Sequence, residues 1–228
     1  MGKSINNISD SVRLALHKYS DDIKLPKSLV KDKIRDIRAA IIRDEIESRK
    51  SVSTGFYQLV SCLKIEKRKT ECVLHGAVLS GYKVNVTGIF KGIRDPVLFI
   101  GSHNLNQRYD ILELVPFLSH GNSAHTSKIP VCTLIEEDVL FNTLPMTAGE
   151  YLTGLILFED FDAACGFSDE DDIPVPRTII YKLEMLVKKD ILASYGYLYD
   201  PLNDNSEEQM KSKAQSQQPQ TQRENDGK

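Results

Sequence analysis

The sequence predicts an α+β protein in which the two ends of the chain build a helical block around a β-rich antiparallel insert of barrel or sandwich type. Three observations carry this. Apolar residues recur at helical spacing within the first 50 residues. Short alternating runs separated by turn residues fill the stretch from Ser51 to Ser168. A further apolar stripe, entered through an acidic run and two prolines, lies between Asp169 and Tyr195. The expected organisation is therefore an N-terminal helical segment at 1–50, a β-rich domain at 51–168, a closing helix at 169–200 packed with the first helices, and a polar extended tail at 201–228.

Ile8, Val12, Leu16 and Tyr19 fall on one face of a first helix, with Asn7 or Ser9 as its cap. A second helix should begin near Pro26. Val30, Ile34, Ile37 and Ile41 form its stripe, and Ile42 and Ile46 widen it enough for two packing partners.

The β-rich part opens with Phe56–Ile65 and turns at the basic knot Glu66-Lys67-Arg68-Lys69. Tyr82–Phe90 is the cleanest strand, since Tyr82, Val84 and Val86 alternate with polar residues; Gly81, Gly88 and Gly92 mark bends or bulges. A short apolar strand follows at Pro96–Ile100, then a polar loop at Asn104–Asp110, a helical turn at Ile111–Leu118 and a loop at His120–Lys128. Val131–Leu140 and Tyr151–Phe158 read as two more strands of a small antiparallel barrel or sandwich.

The closing helix is expected from about Pro176 to Ala193. Pro176 fits a first helical turn, where its missing N–H is not needed. Acids before it and lysines along it match the sign of the helix dipole. Ile180, Leu183, Val187 and Ile191 give it one apolar face. Beyond Asn203 the chain has almost nothing to bury, a composition expected to be disordered when free and able to fold on a neighbour.

The net charge is −3 and the pI near 6.0, so the chain as a whole carries no electrostatic footprint for nucleic acid. Between Lys24 and Lys50 basic residues outnumber acidic ones. Lys27, Lys31, Arg35, Arg38 and Arg43 lie mostly off the apolar stripe and read as a solvated face, with a nucleic-acid surface as the alternative. The four cysteines form no C-x-x-C pair and read as free thiols in a reducing compartment. The start of the chain lacks a secretory signal, and its myristoylation pattern fails at Asn6. No apolar run is long enough to span a bilayer. These features predict a soluble protein made in a cytoplasm, with no membrane partner.

Sites of catalysis are not evident. The phosphate-binding loop, dinucleotide fingerprint, zinc-protease and nucleophile-elbow motifs are all missing. Cys72 and His75 have ligand-like spacing without a second pair, and read as a strand Cys and a turn His. Asp169–Asp172 is contiguous where a calcium loop needs spaced oxygens and a glycine, so it reads as a helix-entry loop. Asp160, Asp162 and Asp169 could hold magnesium only with basic residues and a nucleotide loop that the sequence does not supply. The sequon at Asn85 lies within a strand and is discounted. His120 and His125 are loop residues that could form a contact surface. No enzymatic activity, metal or cofactor is expected.

Two stretches carry a resemblance. The run from Ser4 to Glu45 resembles the opening of ring proteins in the head-to-tail connectors of crAss-like and related short-tailed phages. The run DIPVPRTIIYKLEMLVKKDIL, from Asp172, resembles the prolyl entry and amphipathic helix of the same adaptors. The order of helices, β-rich insert, closing helix and polar tail is similar to that of the tail tubular protein A family. The resemblance implies a non-enzymatic virion protein, assembled in the host cytoplasm. It implies a ring, usually of twelve copies, stacked below the portal around the DNA channel and touching portal, other tail or ring proteins and packaged DNA. A helix-flanked β-barrel that binds nucleic acid or regulates is the alternative.

A ring contact needs two different patches on each subunit. The basic residues Lys31, Arg35, Arg38 and Arg43 and the acidic residues Glu159, Asp160, Asp169, Asp171 and Asp172 are opposite in sign and far apart in sequence. They are expected to meet across the subunit seam, or the basic helix to face DNA.

Overall fold

A computed structural model describes residues 2–19, 24–49, 51–67, 73–74, 77–78, 82–121, 130–142 and 150–197. The expectations placed on Cys72, His75 and His125 and on the tail from residue 201 lie outside these.

Helix α1 spans Ile5–His17 and α2 spans Lys27–Arg49. The cap of α1 is Ser4, whose Oγ accepts from the Asn7 N–H at 3.2 Å, so the cap expected at Asn7 or Ser9 moves toward the chain start. The reason is tertiary: Ser4 bridges to Asp172, and Ile5 joins Ile8, Val12 and Leu16 in the core, which extends the helix by one apolar position. α2 begins directly after Pro26, whose carbonyl accepts from Leu29 and Val30. Its wide apolar stripe does serve two partners, α1 and the closing helix.

Seven strands close a barrel in the order β1-β4-β8-β7-β6-β5-β9. They are β1 (Gln58–Lys67), β4 (Tyr82–Asn85), β5 (Val97–Ser102), β6 (Arg108–Ile111), β7 (Val131–Ile135), β8 (Asp138–Phe141) and β9 (Tyr151–Ile156). A separate two-stranded sheet pairs β2 (Val73–Leu74) with β3 (Ala77–Val78) antiparallel. Every neighbour in the barrel is antiparallel except β6 and β7, which run parallel. Parallel neighbours need a crossover, and helix α3 (Leu114–Gly121) lies within it. The segment expected to be a polar loop up to Asp110 thus contributes a strand from Arg108.

The strand expected at Tyr82–Phe90 breaks after Asn85. Gly88 takes φ +76°, a left-handed turn open to glycine at little cost. The chain rejoins the sheet region at Ile89, bridged to Phe158.

The closing helix α4 is Ile180–Ser194. Pro176 sits one turn ahead of it, where its carbonyl accepts from the N–H groups of Ile179 and Ile180. Gly196, at φ +80°, reverses the chain so that Tyr197 N–H returns to the Leu192 carbonyl at 2.9 Å. Tyr197 then stacks on Tyr19, ring centroids 4.5 Å apart.

Two cores result. The barrel interior is filled by Val60, Ile65, Val84, Ile100, Tyr109, Phe141, Leu152 and Ile156. The helical core joins α1, α2 and α4; the insert adds Phe56, Phe90, Leu157 and Phe161 to it, and the approach to α4 adds Ile173 and Val175. Each fully buried side chain of this size contributes about 1.5–3 kcal/mol. Phe167 packs against both cores, so the helical block and barrel are welded by apolar contacts as well as by charge.

The expectation of four free thiols is corrected at two positions. Cys62 on β1 and Cys165 are paired, with Cα atoms 6.3 Å apart, within the span a disulfide bridges. The sequence conceals this because 103 residues separate them and only barrel closure brings them together. Cys132 is free and buried, and burial pushes its thiol up to about 12.

Candidate interface and charged seam

Lys27, Lys31, Arg35 and Arg43 recur along α2 at multiples of four residues and so share one helix face. That face lies against the acidic segment between β9 and α4. Lys27 pairs with Asp169 at 2.9 Å. Lys31 pairs with Asp162 at 2.8 Å and reaches Asp169 at 3.6 Å. Arg35 holds Asp162 at 3.1 Å and also pairs with Asp160. Arg43 closes the row on Glu159 at 3.1 Å, with its guanidinium 5.9 Å from the centre of the Phe90 ring.

The opposite charges therefore meet inside one subunit. The physical reason is topological: the chain from β9 to α4 must cross from the barrel back to the helical block, and it crosses along the exposed flank of α2. Hydrogen bonding to Asp162 holds the Lys31 ammonium above its ordinary pKa. Burial alone would raise the Asp162 carboxyl, but the hydrogen bond from Lys31 and the charges of Arg35 and Lys31 hold it below the usual carboxylate range. Asp169 is lowered chiefly by its hydrogen bond from Lys27.

Arg38 departs from the expected surface role altogether. Its side chain is completely buried. Nε donates to the Pro174 carbonyl at 3.1 Å, Nη1 to Phe158 at 2.8 Å and Nη2 to Phe56 at 2.9 Å. The guanidinium lies 5.6 Å from the Phe161 ring centre and 6.0 Å from that of Phe56. Burial lowers its pKa to about 9, opposed by the charge of Asp160, so it remains a cation at neutral pH. One side chain of α2 thus ties together two main-chain segments of the insert and the approach to α4. The sequence placed Arg38 off the stripe; it lies instead beside Ile34, Ala39, Ile41 and Ile42 in the core.

Asp171 and Asp172 take no part in the row. Asp171 Oδ2 accepts from the Ser168 N–H at 2.6 Å and shapes the turn. Asp172 bridges through its main chain to Ser4.

A second polar cluster was not anticipated. Glu184, on α4, accepts from Ser11 Oγ at 2.6 Å and Lys188 Nζ at 3.0 Å, and is also paired with Lys3. Burial would raise this carboxyl, but the hydrogen bonds from Lys3, Ser11 and Lys188 bring it down to about 2. The available signal was its spacing: Glu184 falls four residues after Ile180 and three before Val187, on the apolar stripe of α4.

A groove of about 520 Å³ runs between α2 and α4. Ile37, Ala40, Ile41, Leu186 and Ala193 line it with apolar atoms. No cluster of His, Cys, Asp and Glu able to hold a metal ion occurs among the described residues, and among them no helix is long and apolar enough to cross a membrane.

The helical block is joined to the closed barrel by the row of ion pairs on α2, by buried Arg38 and by shared apolar contacts, and an apolar groove lies between α2 and α4. The chain belongs to the family of phage tail ring protein 2 of crAss-like phages, whose family model matches residues 7–210. It is accordingly a virion tail component of ring type. No curated protein matches it.

Proposed function

We propose that the chain is the subunit of a ring in the head-to-tail connector, joining the portal to the tail around the channel through which DNA leaves. Membership of the ring family over residues 7–210 is the observation that carries this reading. The order of helical block, barrel insert and closing helix, which resembles that of connector adaptors, supports it. In this reading the subunit performs no reaction, assembles into a ring of twelve copies in the host cytoplasm, and stays in the virion.

The contacts of such a ring fall on surfaces that the intrachain row of ion pairs leaves open. Exposed apolar side chains supply them: Leu14 on α1, Tyr181 and Met185 on α4, Leu59 on the barrel wall and Val115 on α3. Contact with DNA through α2 is less favoured than in a reading of the sequence alone, because Lys27, Lys31, Arg35 and Arg43 already face carboxylates of the same subunit.

Electron microscopy of purified particles containing an epitope-tagged subunit tests the proposal. The expected result is a twelve-fold ring of tagged density directly joined to portal or tail around the channel. Density remote from the channel, or absence of the chain from particles, would overturn it.

A further inference from the structure

We infer that the groove between α2 and α4 receives residues 198–210 of a neighbouring copy of this chain. The inference rests on the ring reading above and names a contact within it.

Four observations converge on this occupant. The family match continues beyond Tyr197, the last described residue, to residue 210, so this stretch belongs to the unit that defines the family. Its sequence, LYDPLNDNSEEQM, places Leu198, Tyr199, Pro201 and Leu202 close together and ends in Met210, which gives it apolar anchors. The groove is apolar along its floor, and its α4 wall carries Lys182 and Lys189, which form no ion pair among the described residues. Asp200 and Asp204 of the segment are suited to those lysines, and Lys211, just beyond, to Asp36 or Asp44 on the α2 wall.

The direction in which the chain leaves α4 selects a neighbour's segment over its own. After Gly196 the chain turns onto Tyr19, at the end of α1, and is held there by the Tyr197–Tyr19 stack and the return bond to Leu192. Among the described residues the groove is lined by α2 and α4. Thirteen extended residues can span about 40 Å, enough to reach an adjacent subunit. A segment handed from each copy to the next is a heterologous contact, the type that closes into a ring.

The test uses assembled particles containing two forms of the full chain. One carries Leu202→benzoylphenylalanine as a photo-crosslinker; the other is isotopically heavy. Cross-linked peptides are identified by mass spectrometry. The expected products join position 202 of the light chain to 36–44 or 182–193 of the heavy chain. Ala193→Arg in the heavy chain, at an exposed helix position in the groove, should lower their yield at least tenfold while leaving its thermal melting unchanged. Products confined to light chains, with none joining light to heavy, would assign the groove to the chain's own segment and overturn the inference. Products at another surface, or on a different virion protein, would overturn it while leaving the ring intact. Absence of the chain from particles would instead remove the ring reading itself.

Discussion

Arg38 Nη1 donates to the main-chain oxygen of Phe158 at 2.8 Å, so a cation of the helical block is anchored just past the last barrel strand. The same guanidinium serves Phe56 and Pro174, the first at the entry to the barrel and the second on the way to α4. This buried point acts together with the ion-pair row on α2 and with Phe167 in setting the relative placement of helices and barrel.

Arg38→Met should be strongly destabilising. It keeps most of the stem volume but leaves buried carbonyls without donors, and breaking such a buried charged network typically costs about 3–5 kcal/mol. Arg38→Lys should not restore stability, because one ammonium cannot reproduce a planar fork aimed at three carbonyls. Urea denaturation of the two variants measures this. A loss below about 1 kcal/mol for Arg38→Met would show that the bonds carry no net stability.

Glu184 predicts a pH dependence of definite sign. Its folded pKa of about 2 lies below the ordinary 4.5. A carboxyl depressed on folding stabilises fully above its unfolded value and loses that contribution as pH falls from about 4.5 to 2. Chemical denaturation across this window should show wild-type stability falling more steeply than that of Glu184→Gln. Equal slopes would remove Glu184 as a source of acid lability.

Cys62 and Cys165 predict a redox dependence of stability. A cross-link closing a loop of about 100 residues restricts the unfolded chain, worth up to about 4–5 kcal/mol in the chain-entropy account. Reductant should therefore lower the melting temperature of the wild-type chain and leave that of Cys62→Ser unchanged. Cys132, buried with its thiol pushed up to about 12, should resist alkylation in the native state. Equal melting with and without reductant would show that the pair does not stabilise the fold.

Sequence periodicity revealed the parts that obey local rules. The stripes of α1, α2 and α4 bury most of the residues that helical spacing selects, while Tyr19, Ile37 and Ile46 are only partly covered, and Pro26 and Pro176 stand at the approaches to α2 and α4. The α+β class followed from that order. What was hidden depends on contacts distant in the chain. Arg38 is polar, and nothing near it in sequence announces that the carbonyls of Phe56, Phe158 and Pro174 converge on it. The parallel β6–β7 pair depends on a crossover, not on alternation. The acidic and basic runs were visible as opposites, but their covalent connection through the barrel, which makes them partners within one subunit, was not.

The row along α2 gives a last prediction, and it separates a contact within a subunit from one between subunits. Lys31 pairs with Asp162 at 2.8 Å, and Arg35 shares the same carboxylate. Lys31→Asp should destabilise the chain by placing like charges together, and Asp162→Lys added in the same chain should recover part of the loss. A double-mutant cycle on a partly exposed pair of this kind should give a coupling near 1 kcal/mol. The recovery should appear in the thermal melting of the dilute chain, at concentrations where no assembly forms, and should shrink at high salt. If recovery needs the two substitutions on different chains, mixed and assembled, the row acts between subunits instead. Because the folded carboxyl of Asp162 is held low, the coupling is present above its ordinary pKa and fades as pH falls through its folded value. A coupling that persists unchanged into that acidic range would show that another group than Asp162 holds Lys31.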